Sequence, residues 1–318
     1  MKDLKAAIYM HLPQIDEVLE ERRLSVHKRP FQASILFVQE CVIKVSRGTK
    51  EELILGEHFS IIVNHAIDWY IEKYGQLAEN PKKDTLSGIV RYQNQPVLLN
   101  IPATTSKIEK EGETSWLCFP DHLQPDESHF KFVNTKIRLE SLSETELEIL
   151  KKEVEEVVAL SRRTNISLTM ESGLNEGAKS MAGSIWAHIE KAISDILSQK
   201  KENISVACWE LHLAVEKALK IYISQFLTDK KPWGHNLIEL CNQAKGHGLT
   251  LDKALLETLP SDKKVLKMRY GELQVDSKKA VEHYLTALKL VCSITEQLKS
   301  EFSIYNASFL IKKSGWAR

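Results

Sequence analysis

Between residues 203 and 228 the apolar residues Leu211, Ala214, Val215, Ala218, Leu219, Tyr222 and Phe226 recur at steps of three and four. That period places them along one side of an α-helix. An apolar face this continuous has to be covered by other elements, and the flanking sequence supplies them. Met181, Ile185, His188, Ile189, Ala192, Ile193 and Leu197 approximate the same stripe over 176–200, and Val281, Tyr284, Leu285, Leu288, Val291 and Leu298 repeat it from Asp276 to about Phe302. Between them DKKPWG ends the central helix, because proline cannot continue a helix and the residue before it leaves the α region. A shorter helix restarts at His235, with Leu237, Ile238 and Leu240 as its apolar residues. Four helices with short connections predict an all-α bundle over residues 175–305, followed by a tail at 306–318.

The upstream half is mixed. Residues 14–24 read as a helix, and after Pro30 the positions Phe31, Ile35, Val38, Val42 and Val45 predict a second that ends near Gly48. A third is expected from Glu57 to Tyr74, stopped by Gly75. From Leu86 the pattern changes to two short strands, GIVRY and PVLLNIP, joined by a tight turn, with SWLCFP as a third strand and HFKFV (129–133) as a fourth. Ser143 and Glu146 form a capping box for a connecting helix over 141–163, whose stripe is Leu147, Leu150, Val154, Val157 and Val158. Residues 1–165 are therefore expected to be an α+β domain, helices followed by a small antiparallel sheet, with the boundary near residue 170 in the polar, glycine-containing stretch TNISLTMESGLNEG.

With 43 basic and 43 acidic residues, the chain has no overall positive field to draw it onto nucleic acid, so any such contact must be a local patch. The five cysteines form no CxxC, which argues against a zinc ribbon or redox dithiol and predicts reduced, mostly buried thiols. Apolar runs fall far short of the roughly 20 residues a membrane helix needs, and the first residues meet Pro13 and charge too early for a signal peptide; a cytoplasmic protein is expected. Neither GxxxxGK nor GxGxxG occurs, which removes support for a kinase or dinucleotide-binding role.

Several polar groups can carry chemistry. His58, His65 and Asp68 share one face of the third helix at spacings of seven and three, but they lack the pattern of a metal motif and also suit a solvated face, so no metal is assigned. Arg22 and His27 in RRLSVH stand five apart, as they also would in a basic helix end. The most concentrated group is Glu216, Lys217 and Lys220 on the central helix, with His235 where the next one starts and Arg269–Tyr270 before the last. As structure, Glu216 and Lys220 are an i,i+4 pair worth about 0.2–0.5 kcal/mol. As function, the six residues would meet at one end or groove of the bundle and hold a phosphate or nucleotide, arginine offering a planar fork to phosphate oxygens and tyrosine a face for a base.

The ordered words AVEKALK (214–220), HNLIEL (235–240) and KMRYGE (267–272) resemble the HEPN domain, the higher eukaryotes and prokaryotes nucleotide-binding family, over roughly residues 175–305. The N-terminal half has no such resemblance. Many HEPN proteins are ribonucleases in which an arginine is followed, after four to six residues, by a histidine. This sequence departs from that pattern, since the next histidine after Arg269 is His283. The resemblance therefore implies a non-catalytic module with no catalytic residue and no cofactor, binding a nucleotide, RNA or a protein partner and pairing as a homodimer through its bundle helices. The setting it implies is prokaryotic defence, toxin–antitoxin or stress. Two alternatives stand beside it: a metal-independent ribonuclease with a non-standard active site, and a dimerising structural scaffold.

Overall fold

The structure is a computed structural model and describes residues 2–46, 48–56, 58–78, 85–111, 113–135, 137–169, 174, 176–227, 234–299 and 303–312. Pro232 and Trp233 lie outside these residues. The chain folds into two compact units: 1–83 with 107–116 and 310–318, and 84–106 with 117–309.

The first unit begins with α1 (Lys2–Glu21), twelve residues earlier than the sequence pattern suggested. Pro13 costs one helical hydrogen bond, but Ile8, Leu12, Ile15 and Leu19 lie on one buried face and hold the helix through it. The second expected helix divides. It forms α2 (Arg29–Leu36) and a π-helical turn at Phe37–Cys41, well short of Gly48. A further helix, α3 (Lys50–Leu55), has no apolar period to announce it; it is defined by a capping box in which Thr49 and Glu52 satisfy each other's backbone N–H groups. α4 (Phe59–Tyr74) ends where expected, at Gly75 with φ of 56°. Among the described residues four α-helices, not three, thus precede the first strand. Phe37, Val38, Phe59, Ile62, Ala66 and Tyr70 close the core against α1. At its edge Asp16 is buried and accepts hydrogen bonds from Arg29, Lys73 and Tyr74, tying α1 to α2 and α4.

In the second unit β1 (Thr85–Tyr92) and β2 (Gln95–Pro102) form an antiparallel hairpin in which Tyr92 pairs with Gln95. Gln93 and Asn94 both take positive φ, 48° and 64°, as a two-residue hairpin turn requires. The strands β3 (Thr105–Lys110), β4 (Thr114–Cys118) and β5 (Ser308–Lys312), most of whose residues belong to the first unit, make a separate small sheet in the order β3-β4-β5. Two of these carried little signal: TSKIEK has one apolar residue, and β5 lies in what reads as a tail. HFKFV is not a strand. His129–Phe132 is a 3-10 turn that buries Phe132, and only Val133 bridges to Leu99.

α5 (Glu144–Thr169) starts on the Ser143–Glu146 capping box, with Glu146 N–H donating to Ser143 Oγ at 3.3 Å, and continues six residues past Arg163. α6 (Glu176–Leu197), α7 (Lys201–Ser224), α8 (Leu237–Gly246) and α11 (Ser277–Thr295) are the four bundle helices expected. Two short helices, α9 (Lys253–Glu257) and α10 (Asp262–Arg269), intervene, and α10 packs on α7.

The units do not divide near residue 170. Val154, Val157 and Val158 of α5 share one continuous core with Ile89, Leu99 and Ile101 of the hairpin and with Ile185, Leu219 and Leu288 of the bundle. The fit is close at Gly88, where a Cβ would come within 2.7 Å of Val157 Cγ1. Hairpin and α5 therefore belong to the same compact unit as the bundle.

Candidate functional site

Along α7, Trp209, His212, Glu216 and Lys220 follow one another at steps of three, four and four, so they line one face. Glu216 is 5% exposed, and its Oε1 accepts from Lys220 Nζ at 2.7 Å and faces His235 Nδ1 at 3.0 Å. His235 stands just ahead of α8 with its imidazole largely open to solvent. Its backbone carbonyl lies 3.2 Å from Nε2 of the buried His212. A carbonyl can only accept, so Nε2 of His212 carries the proton. Burial lowers the pKa of His212, which keeps the ring neutral. Among the described residues, Glu216 Oε2 and His212 Nδ1 are buried without a hydrogen-bond partner.

One turn earlier the His212 ring stacks parallel to Trp209 with 6.4 Å between centroids, and the Arg269 guanidinium lies 4.7 Å from the centre of the Trp209 ring. Arg269 is also 5.7 Å from the ring of Tyr270, which is 67% exposed. Arg269 is the last residue of α10, and among the described residues it pairs with no carboxylate. Its N–H edges are thus uncommitted while its position is set by stacking.

Of the six residues singled out in the sequence, Glu216, Lys220 and His235 meet directly, and Arg269 and Tyr270 meet beside Trp209. Lys217 does not join them. It turns to α6 and donates to Ser184 Oγ at 2.7 Å. Sequence reasoning missed His212, which links the two groups; its spacing of four from Glu216 and eight from Lys220 on the same helix was the available signal.

The other groups considered lie elsewhere. Arg22 and His27 fall in the first unit, on a turn after α1 and in a 3-10 helix. His58 and Asp68 are exposed, His65 is half-buried, and no group of three or more His, Cys, Asp or Glu is placed to hold a metal among the described residues. His283 lies in the interior, its Nδ1 3.5 Å from Cys208 Sγ. All five cysteines are unpaired, and Cys208, Cys241 and Cys292 are buried. Among the described residues no helix is long and apolar enough to cross a membrane.

A family model, that of the HEPN domain, matches residues 189–298, and the N-terminal half has no assigned family. The match runs from within α6 to the turn after α11 and contains all six residues. No curated protein and no solved structure matches the chain.

Proposed function

We propose that the HEPN-matching half is a non-catalytic module that binds a nucleotide or single-stranded RNA along the α7 face, with 175–305 as the binding unit. The observation that carries this is Arg269: a guanidinium stacked on Trp209, unpaired with carboxylate among the described residues and flanked by an exposed tyrosine ring. Such a pair suits a phosphate and an adjoining base. Lys220 and His235 extend the polar strip by two turns of α7. The spacing of arginine and histidine typical of HEPN ribonucleases is missing from the matched region, which supports binding without cleavage.

One observation favours a second reading. Glu216 holds His235 by Nδ1 and leaves Nε2 in solvent, an arrangement that orients a general base. The two readings separate in one experiment: labelled single-stranded RNA is incubated with protein and chelator, and both anisotropy and strand length are followed. Binding with intact RNA, weakened about tenfold or more by Arg269→Ala, supports the module, an arginine–phosphate contact being worth roughly 1.5–3 kcal/mol. Cleavage abolished by His235→Ala supports the ribonuclease. RNA neither bound nor cut leaves the scaffold reading, for which a dimer by light scattering is the expected result.

A further inference from the structure

In the order β3-β4-β5 the strand β3 is outermost, and its residues Lys107, Ile108, Glu109 and Lys110 are all exposed. No proline interrupts it. The carbonyl of Lys110 accepts from the Glu113 N–H at 3.0 Å across the turn into β4, which directs the backbone groups of Lys110 to β4. Alternation gives those of Ile108 the same direction and leaves the N–H and C=O of Lys107 and Glu109 on the open edge. Side chains alternate between faces, so Lys107 and Glu109 share one and Ile108, 69% exposed, stands on the other. Glu109 Oε2 accepts from Trp116 Nε1 at 2.7 Å, which holds the carboxylate over its face. Lys110 pairs with Glu113, whereas Lys107 has no ion-pair partner among the described residues.

The word Lys107-Ile108-Glu109 is complementary to itself when run antiparallel. We propose that β3 is an interface with β3 of a second copy of this chain, the two strands adding edge to edge about a two-fold axis at Ile108. Lys107 of each copy then lies opposite Glu109 of the other, and these are the residues whose free N–H and C=O groups exchange hydrogen bonds. Ile108 meets its own copy at the intervening pair, where side chains come closest. A lysine on an edge strand ordinarily discourages pairing. Here it selects the register, because a shift of two residues sets Lys107 against Lys107 or Glu109 against Glu109. Pairing over so few residues falls short of the roughly 1,200 Å² of a lasting interface, so this dimer is weak and concentration-dependent. It lies outside the HEPN-matching region and does not rest on the α7 site.

Disulfide cross-linking of the full chain tests this at one position. Ile108→Cys is introduced with Cys41→Ser and Cys118→Ser, which remove the two half-buried thiols. The facing Cα atoms of such a pair stand about 4.5 Å apart, within the span of a disulfide. The expected result is a covalent dimer under mild oxidation. Adding Lys107→Glu alone, or Glu109→Lys alone, sets like charges opposite each other twice and should slow cross-linking about tenfold. Mixing those two chains restores opposite charges at both pairs and should restore the cross-link, as should Lys107→Glu with Glu109→Lys in one chain. No cross-link, cross-linking indifferent to the charge changes, or a loss that neither the mixture nor the double swap repairs would each overturn the proposal.

Discussion

Glu216 and His235, nineteen residues apart, meet at 3.0 Å, and the same carboxylate oxygen is 2.7 Å from Lys220 Nζ. The carboxylate is almost wholly buried and the lysine 16% exposed, so each needs the other. Glu216→Ala should cost roughly 3 kcal/mol, because it strands a buried ammonium. Glu216→Gln keeps an acceptor oxygen in place and should cost about 1 kcal/mol. Urea melts of the two variants would expose an error if they lost equal stability.

In the first unit, burial by itself raises the carboxyl pKa of Asp16, but hydrogen bonds from Tyr74, Lys73 and Arg29 outweigh it and hold the group below its ordinary value. A lowered folded pKa contributes stability that is present above the unfolded value of 3.8 and is lost as pH falls through the folded one. Hydrogen exchange on α1 and α4 amides should therefore stay slow down to pH 4 and accelerate below it. Asp16→Asn should show the faster exchange already at pH 7.

His283 predicts a second acid-sensitive window, in the other unit. Burial, reinforced by Lys279, pushes its pKa down from 6.5 to about 4. Between those values the unfolded chain binds the extra proton, so stability is complete above pH 6.5 and falls toward pH 4, by on the order of 3 kcal/mol. Denaturant midpoints across pH 4–7 should slope in the wild type and flatten in His283→Gln.

Arg162 is fully buried on α5 and donates to both oxygens of Glu127 at 2.7 Å, to the His122 carbonyl at 2.7 Å and to the Pro102 carbonyl at 3.1 Å. Arg162→Lys cannot reproduce the fork, and a loss of roughly 3 kcal/mol is expected. Faster exchange confined to amides around 119–128 is the signature to look for; a uniform change would argue against a local tie.

Thiol accessibility gives a simple count. Burial raises Cys208 to about 12 and Cys292 to about 11, and shifts Cys241 upward. An aromatic disulfide reagent at pH 8 should modify Cys41 and Cys118 in the native protein and reach the other three only on unfolding.

The apolar stripes of α6, α7 and α11, the Gln93–Asn94 turn, the Ser143 cap and the Gly75 stop were legible in the sequence, because each is a local preference expressed within a few residues. So were the ordered words that match the HEPN model. β3 and β5 were not, since their residues carry no alternating apolar signal and the strands are defined by pairing partners. Nor was the division of the chain: Val157 meets Gly88 and Ile101 only after α5 folds back on the hairpin. The same holds for the site. The sequence by itself determined which polar groups lie on α7, and the packing of α8 and α10 decided that His235 reaches Glu216, that Arg269 stacks on Trp209 and that Lys217 turns away. Packing of α11 likewise sent His283 to Cys208, 75 residues earlier in the chain. Helical period assigns a face to every residue, but what that face meets depends on contacts between segments far apart in the chain, which no local preference encodes.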